Sequence, residues 1–322
     1  MARFRARPGS LTQADPEPSG RWKRQRLVLV PLAAIGAVLL IVIVWIYWRN
    51  PGDAFAYWLA AIRLVAGEPV YVTGEAAFAP YAYHYPPPLA QVLAPFTLVV
   101  PAIAYVIAYR VVQLLVTWEL AGRRMLWMLA LIAFLPVALE LRFENVNLLM
   151  ALGIVYGLGR WPWLFAVGAV VKVSPGLGII YLALRRRWRD AFVSSVVGVA
   201  IVAVSYALDP GLWRAFLDAI GDRATITGNS LLPFPYAARA IAGLVLTIAG
   251  GIVGRRRGEL LLVAGMTIAN PNLALNGFAV LAAAIPVWMA GPGGIGESRE
   301  RPGSHNPVNP PEHGQSLADP RT

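Results

Sequence analysis

Residues 27–48, LVLVPLAAIGAVLLIVIVWIYW, form an uncharged apolar run long enough to cross a bilayer as a single helix. The run is too long for the core of a signal peptide and lacks a small-residue cleavage site, so it is expected to remain as an anchor. Further apolar segments follow at 102–121, 125–140, 147–159, 162–173, 175–184, 190–208, 236–253, 259–270 and 272–290. Together they predict an all-α polytopic membrane protein with about ten membrane segments. Several segments fall short of the ~20 residues that a lone span needs, so they are expected to be broken or tilted helices packed against protein.

Composition agrees with that class, since 57% of the chain is apolar and 14% is charged. The net charge of +11 does not imply nucleic acid, because the arginines flank apolar runs in short clusters. Arg123 and Arg124, Arg160, the RRRWR of 185–189 and Arg255 to Arg257 would all be cytoplasmic if the basic arm 1–26 is. That register places both termini inside, and it puts the long loop 49–101 and most of the unusual polar residues outside. Residues 291–322, rich in Pro, Gly and charge, read as a disordered cytoplasmic tail. The absence of cysteine excludes disulfides and thiolate metal sites.

The outer loop is expected to hold two short helices, DAFAYWLAAIRLVAG (53–67) and PPPLAQVLAPF (86–96), the second started by its prolines. Phe55, Trp58, Leu59, Ile62 and Val65 share one side of the first, which predicts a helix lying along the membrane interface. Asp53 is either the N-cap of that helix or a general base at the membrane surface. Tyr81, Tyr83, His84 and Tyr85, followed by Pro86 to Pro88, are either a headgroup-level aromatic belt or the wall of a rigid pocket whose rings and hydroxyls suit a sugar.

Lys172, inside VGAVVKVSPGLG, either snorkels to the interface or faces a cavity as an anion clamp beside the Pro175 break. Mid-span Arg110 invites the same reading. ELRFENVNLLM (140–150) gathers Glu140, Arg142, Glu144, Asn145 and Asn147 at the outer end of a span, as a capped turn or as a binding site. Asn270, Asn272 and Asn276 are open between turn chemistry and ligand contacts. A phosphate-binding glycine loop, HExxH and a well-placed Asp-x-Asp pair are all missing. A sugar transferred on the outer face therefore needs a donor available there, such as a lipid-phosphate-linked sugar.

The order Asp53, Tyr57, Ala61, Gly67, Tyr71, then YHYPPPLAQVLAPF, ENVN at 144–147, Lys172, Ser174, Pro175 and RRRW resembles the glycosyltransferase 87 family over roughly residues 28–290. The family contains polyprenyl-phosphate-mannose-dependent mannosyltransferases, many of them from actinobacteria. The resemblance implies a GT-C fold with two juxtamembrane helices and a catalytic acid near the end of span one, which by position is Asp53. In the family the 144–147 site usually reads Gly-Gln-x-Asn, so Glu144 and Asn145 depart from it and Asn147 matches. Ala274 and Asn276 stand where a tryptophan and a histidine are usual.

The reading is a transferase that moves a sugar, mannose by the family's example, from a polyprenyl-phosphate donor to a glycolipid or glycan acceptor on the extracytoplasmic face, with inversion. Asp53 is its base; Tyr57, Tyr81, Tyr83, His84, Tyr85, Arg110, Arg142, Glu144, Asn147, Lys172 and Asn276 bind substrate. No cofactor and no metal are invoked. A lipid-linked-sugar flippase and a non-catalytic membrane protein of the same fold are the alternatives.

Overall fold

The computed structural model describes residues 21–47, 52–72, 81–224, 234–271 and 273–290, together with Leu231 and Ile295. Most of the predicted basic arm, nearly all of the tail and Asn272 lie outside the described residues. Every described element is helical. α1 (Arg21–Tyr47) carries the first apolar run. The loop after α1 then yields α2 (Asp53–Ala66) and α3 (Pro87–Thr97), the two short helices expected there. α3 starts on consecutive prolines, whose missing N–H groups fall where a helix has no internal acceptors to serve.

α4 (Ala102–Leu120) follows, and then α5 (Met125–Ile132) and α6 (Leu135–Phe143). These two replace the single segment expected at 125–140 and meet at 84°. Pro136 sits in the first turn of α6, where it is tolerated at a helix start and would break a continuous span. α7 (Asn147–Leu158), α8 (Leu164–Val171), a 3₁₀ turn at Ser174–Gly176 and α9 (Leu177–Leu184) come next. The chain continues through α10 (Trp188–Leu208), α11 (Pro210–Ala224), α12 (Tyr236–Ile252) and α13 (Arg255–Ile268). A 3₁₀ segment, Leu275–Ala283, runs into α14 (Ala284–Met289).

Three stretches are long and apolar enough to cross a membrane by length and composition, namely Gln25–Trp45, Ala102–Leu120 and Trp188–Leu208; the bent pair α5–α6 makes a fourth if taken as one span. The other apolar helices are shorter, and they hold their backbone polar groups by packing inside the protein as broken spans do. α11 was not expected from the sequence. Its charges, Arg214, Asp218, Asp222 and Arg223, interrupt the apolar pattern, yet Leu212, Phe216 and Ala219 are buried.

The main core joins α4, α5, α6, α7, α9, α13 and the 275–283 segment around Ile132, Leu148, Leu158, Leu182, Leu262 and Met266. A second cluster lies under the loop helices, where Tyr57, Tyr71, Tyr83 and Tyr85 meet Val146, Met150 and Phe216 of α11. α2 turns Ala54, Tyr57, Trp58 and Ala61 inward and leaves Ile62 and Val65 exposed. Trp58, expected on the interfacial side, instead stacks on Tyr105 of α4 at 4.6 Å between ring centroids. α1 rests on α5, and a Cβ added at Gly36 would lie 1.7 Å from the carbonyl oxygen of Leu129. Small residues permit such close approach, which is what draws helices together where both are apolar.

Gly36→Leu is therefore expected to push α1 off α5 and to destabilise the protein by about 1–3 kcal/mol, the usual range for overpacking. Gly153→Ala, at a position with open space around it, should be neutral or slightly stabilising. Thermal unfolding of both variants in detergent checks the pair, and equal melting temperatures would contradict the packing.

Candidate functional site

The site forms where α2 begins, where α6 gives way to α7, and where α8 ends before the 3₁₀ turn. α6 closes on Glu144, whose φ of 55° is left-handed. Glycine adopts that backbone most readily, so a glutamate here needs the contacts of its side chain to hold it. Gly52 lies directly on this end of α6: a Cβ there would approach the carbonyl oxygen of Phe143 to 2.2 Å. The Gly52 N–H donates to Glu144 Oε2 at 3.1 Å. Arg110 Nε, from α4, donates to Glu144 Oε1 at 2.5 Å. The buried glutamate thus ties the entrance of α2 to α4 and α6.

That tether places Asp53. The N-cap position belongs to Gly52, no side chain caps the helix, and Asp53 is the first helical residue. A carboxylate there gains from the positive end of the helix. It also accepts a hydrogen bond from Asn145 Nδ2 across 92 residues of sequence. Burial pushes the Asp53 carboxyl up from its usual range; the Asn145 hydrogen bond and the charge of Lys172 oppose this, and the charge of Glu144 adds to it.

Asn145 is the centre of the arrangement. Its Oδ1 accepts from Tyr85 OH at 3.0 Å, from the Val146 N–H at 2.7 Å and from Lys172 Nζ at 3.1 Å. Its backbone carbonyl accepts from Tyr109 OH at 2.9 Å and from Gln113 Nε2 at 2.6 Å. Lys172 does not snorkel outward: its ammonium also donates to Asn147 Oδ1 at 2.9 Å and lies 5.7 Å from the Tyr85 ring centroid.

Asn147 extends the network inward. Its N–H and Nδ2 donate to Glu140 Oε1 and Oε2 at 2.6 and 2.8 Å, and its Oδ1 accepts from Asn270 Nδ2 at 3.2 Å. Asn276 Nδ2 reaches the same Glu140 Oε2 at 3.1 Å. Glu140 is fully buried, and these donors replace its hydration. Arg239, from α12, holds the 270–271 turn in place by donating to the carbonyls of Asn270 and Pro271 at 2.8 and 3.0 Å.

The aromatic residues divide. Tyr57 OH donates to Tyr85 OH at 3.1 Å, so both side chains belong to the Asn145 network. Tyr83 instead pins the start of α3, donating to the Pro86 carbonyl at 3.0 Å and accepting from the Ala90 N–H at 3.2 Å. Tyr81, at φ 67°, packs edge-on against Phe55 at the rim, and His84 is exposed. Arg110 and Arg142 do not join Lys172 in one clamp; they line a separate cavity of about 170 Å³ between α1, α4 and α6. Arg142 also lies over the Phe143 ring at 5.4 Å.

The structure therefore brings Asp53, Tyr57, Tyr85, Glu144, Asn147, Lys172 and Asn276 into one connected cluster, with Arg110 attached through Glu144. It adds Glu140, Asn145 and Asn270, which sequence reasoning noticed without placing in the site. Their signal was present: two asparagines and a mid-helix glutamate in apolar surroundings are costly unless polar partners satisfy them. Among the described residues no group of three or more His, Asp or Glu could hold a metal ion.

Residues 83–292 match the family model described as Glycosyltransferase family 87. No curated protein and no solved structure matches the chain.

The Asn145 amide favours the ionised form of Asp53, so its removal should move the carboxyl further upward. For Asn145→Ala, the acid limb of the pH–kcat/KM profile is expected to shift to higher pH, with a loss of about tenfold or more at neutral pH, the worth of a hydrogen bond to a charge. Asn145→Gln keeps an amide and should restore much of both. An unshifted limb in Asn145→Ala would disconnect the two residues.

Proposed function

The chain belongs to glycosyltransferase family 87, a family of membrane glycosyltransferases, and from that premise we propose that it moves a sugar, mannose first among the candidates, from a polyprenyl-phosphate donor to a glycolipid or glycan acceptor. In this reading α2 and α3 are the juxtamembrane helices of a GT-C fold with about ten membrane segments. The site faces outward and both termini lie in the cytoplasm.

The observation that carries the reading is the unequal state of three neighbouring carboxylates. Glu140 is buried and held by Asn147 and Asn276, and Glu144 is buried and held by Arg110 and the Gly52 N–H. Asp53 is partly exposed and accepts a hydrogen bond from the Asn145 amide. A general base needs a lone pair that the acceptor can reach, and Asp53 meets that condition.

Asp53 takes the proton of the acceptor hydroxyl as that oxygen attacks the anomeric carbon. The bond from the anomeric carbon to the phosphate oxygen breaks in the same displacement, and the phosphate leaves on its lipid with the electron pair. One displacement inverts the configuration. The Asn145 hydrogen bond and the charge of Lys172 both favour the ionised form of Asp53, and the cationic side chains nearby balance the leaving phosphate. Tyr57 and Tyr85 hold the amide in place, while Tyr81 and His84 stand at the rim for the sugar or acceptor.

Membranes carrying wild-type or Asp53→Asn protein, matched for expression and given radiolabelled polyprenyl-phosphate mannose with a glycolipid pool, test the proposal. Label should enter glycolipid in the wild type, and the variant should lose ~10²- to 10⁴-fold in rate, the usual worth of a positioned base. Full rate in a folded Asp53→Asn protein would overturn the role of Asp53. Movement of the lipid without a new glycosidic bond would favour a flippase.

A further inference from the structure

The cavity between α1, α4 and α6 lies beside the Asp53 cluster and shares Glu144 with it. Its walls are aliphatic, supplied by residues such as Ile43, Val44, Ile107 and Val111. Val44 and Val111 are each about half exposed, at 52% and 49%, on two of the long membrane-capable helices. The rim of the recess therefore reaches the surface of those two helices.

Its polar residues are Arg110, Arg142, Gln113 and Glu144. The lining thus carries two guanidiniums, and Arg110 donates to the Glu144 carboxylate at 2.5 Å. Gln113 is almost wholly buried, and its Oε1 has no hydrogen-bond partner although its Nε2 donates to the Asn145 carbonyl. A buried acceptor in that state is costly unless a donor arrives to meet it.

We infer that this cavity receives the phosphate-proximal part of a single-chain polyprenyl phosphate. The chain enters between α1 and α4, the phosphate meets Arg110 and Arg142, and a hydroxyl of the attached sugar donates to Gln113 Oε1. The inference rests on the transferase reading and names where its lipid donor docks. A single isoprenoid chain suits the narrow recess better than a glycerophospholipid, whose phosphate brings two chains to the same mouth. Glu144, itself in the lining, sets the orientation of Arg110 through its hydrogen bond to Nε, and guanidinium–phosphate recognition depends on such orientation.

The test uses the full chain in phosphatidylcholine nanodiscs and a long-chain polyprenyl phosphate bearing a diazirine near its phosphate end. Photolabelling should fall on peptides containing residues 40–44 and 107–114, and labelling confined to other helices would overturn the proposal. Unlabelled polyprenyl phosphate should suppress the labelling at least about tenfold more effectively than polyprenol or phosphatidylglycerol, the scale expected for a lost charge-assisted contact. Equal competition by phosphatidylglycerol would make the cavity a general lipid site and would equally overturn it.

Val44→Trp and Val111→Trp, at the exposed rim, should each reduce labelling without lowering the melting temperature, and Val167→Trp on α8 should not reduce it. Asp53→Asn should label as the wild type does. If wild-type protein labels at this cavity yet transfers no sugar, the transferase reading fails and the docking site stands. If transfer proceeds while the label falls elsewhere, the docking site fails alone.

Discussion

A charge held in a water-poor interior persists only where donors or an opposite charge replace its hydration, and the Asn145 carboxamide is where this protein meets that requirement. A carboxamide presents a donor and an acceptor at opposite ends. Its Nδ2 faces the Asp53 carboxylate and its Oδ1 faces the Lys172 ammonium, so acid and base share one neutral group without collapsing into a direct ion pair. A direct pair would fix both side chains and leave the carboxylate poorly placed to accept a proton. Tyr85 and the Val146 N–H lock the amide in that orientation, and its own backbone carbonyl is held by Tyr109 and Gln113.

Glu144 does for the backbone what Asn145 does for the side chains. A glutamate in a left-handed conformation is strained where glycine would not be, and a buried one is costly as well. Both penalties are offset by what its carboxylate joins. Arg110 neutralises it, and Gly52 places the first turn of α2 on the end of α6. A glycine at this position would relax the turn and would leave Arg110 without that carboxylate. A glutamate in place of glycine thus changes the electrostatics of the cavity as well as the geometry of the turn.

The parts of the fold legible in the sequence were those set by local chemistry. The long apolar runs became α1, α4 and α10, the proline cluster became the start of α3, and the Pro175 break became a 3₁₀ turn. The bend between α5 and α6 was hidden because a helix-starting proline inside an apolar run leaves the hydropathy unchanged. α11 was hidden because its buried residues Leu212 and Phe216 are spaced among charges, and only the aromatic cluster beneath it reveals their use. Asp53 could be singled out by its position after the first span, but its partner lies 92 residues away. Long-range pairing of that kind leaves no periodicity to read. Tyr83 shows the converse: a conspicuous motif residue whose hydroxyl serves the start of the next helix.

On the transferase reading, inversion demands that the attacking and leaving oxygens approach the anomeric carbon from opposite faces, and the polar groups here are already divided in two. The side chain of Asn145 serves Asp53 and Lys172, while its backbone carbonyl serves Gln113 in the wall of the arginine-lined cavity. On that reading one residue stands between the carboxylate proposed as the base and the recess proposed to take the phosphate. A donor whose phosphate occupied the recess would present its sugar toward Asp53, with the acceptor approaching from the loop side under Tyr81 and His84. The apolar walls would then fix the direction of the lipid chain, and through it the face of the sugar that the carboxylate can reach.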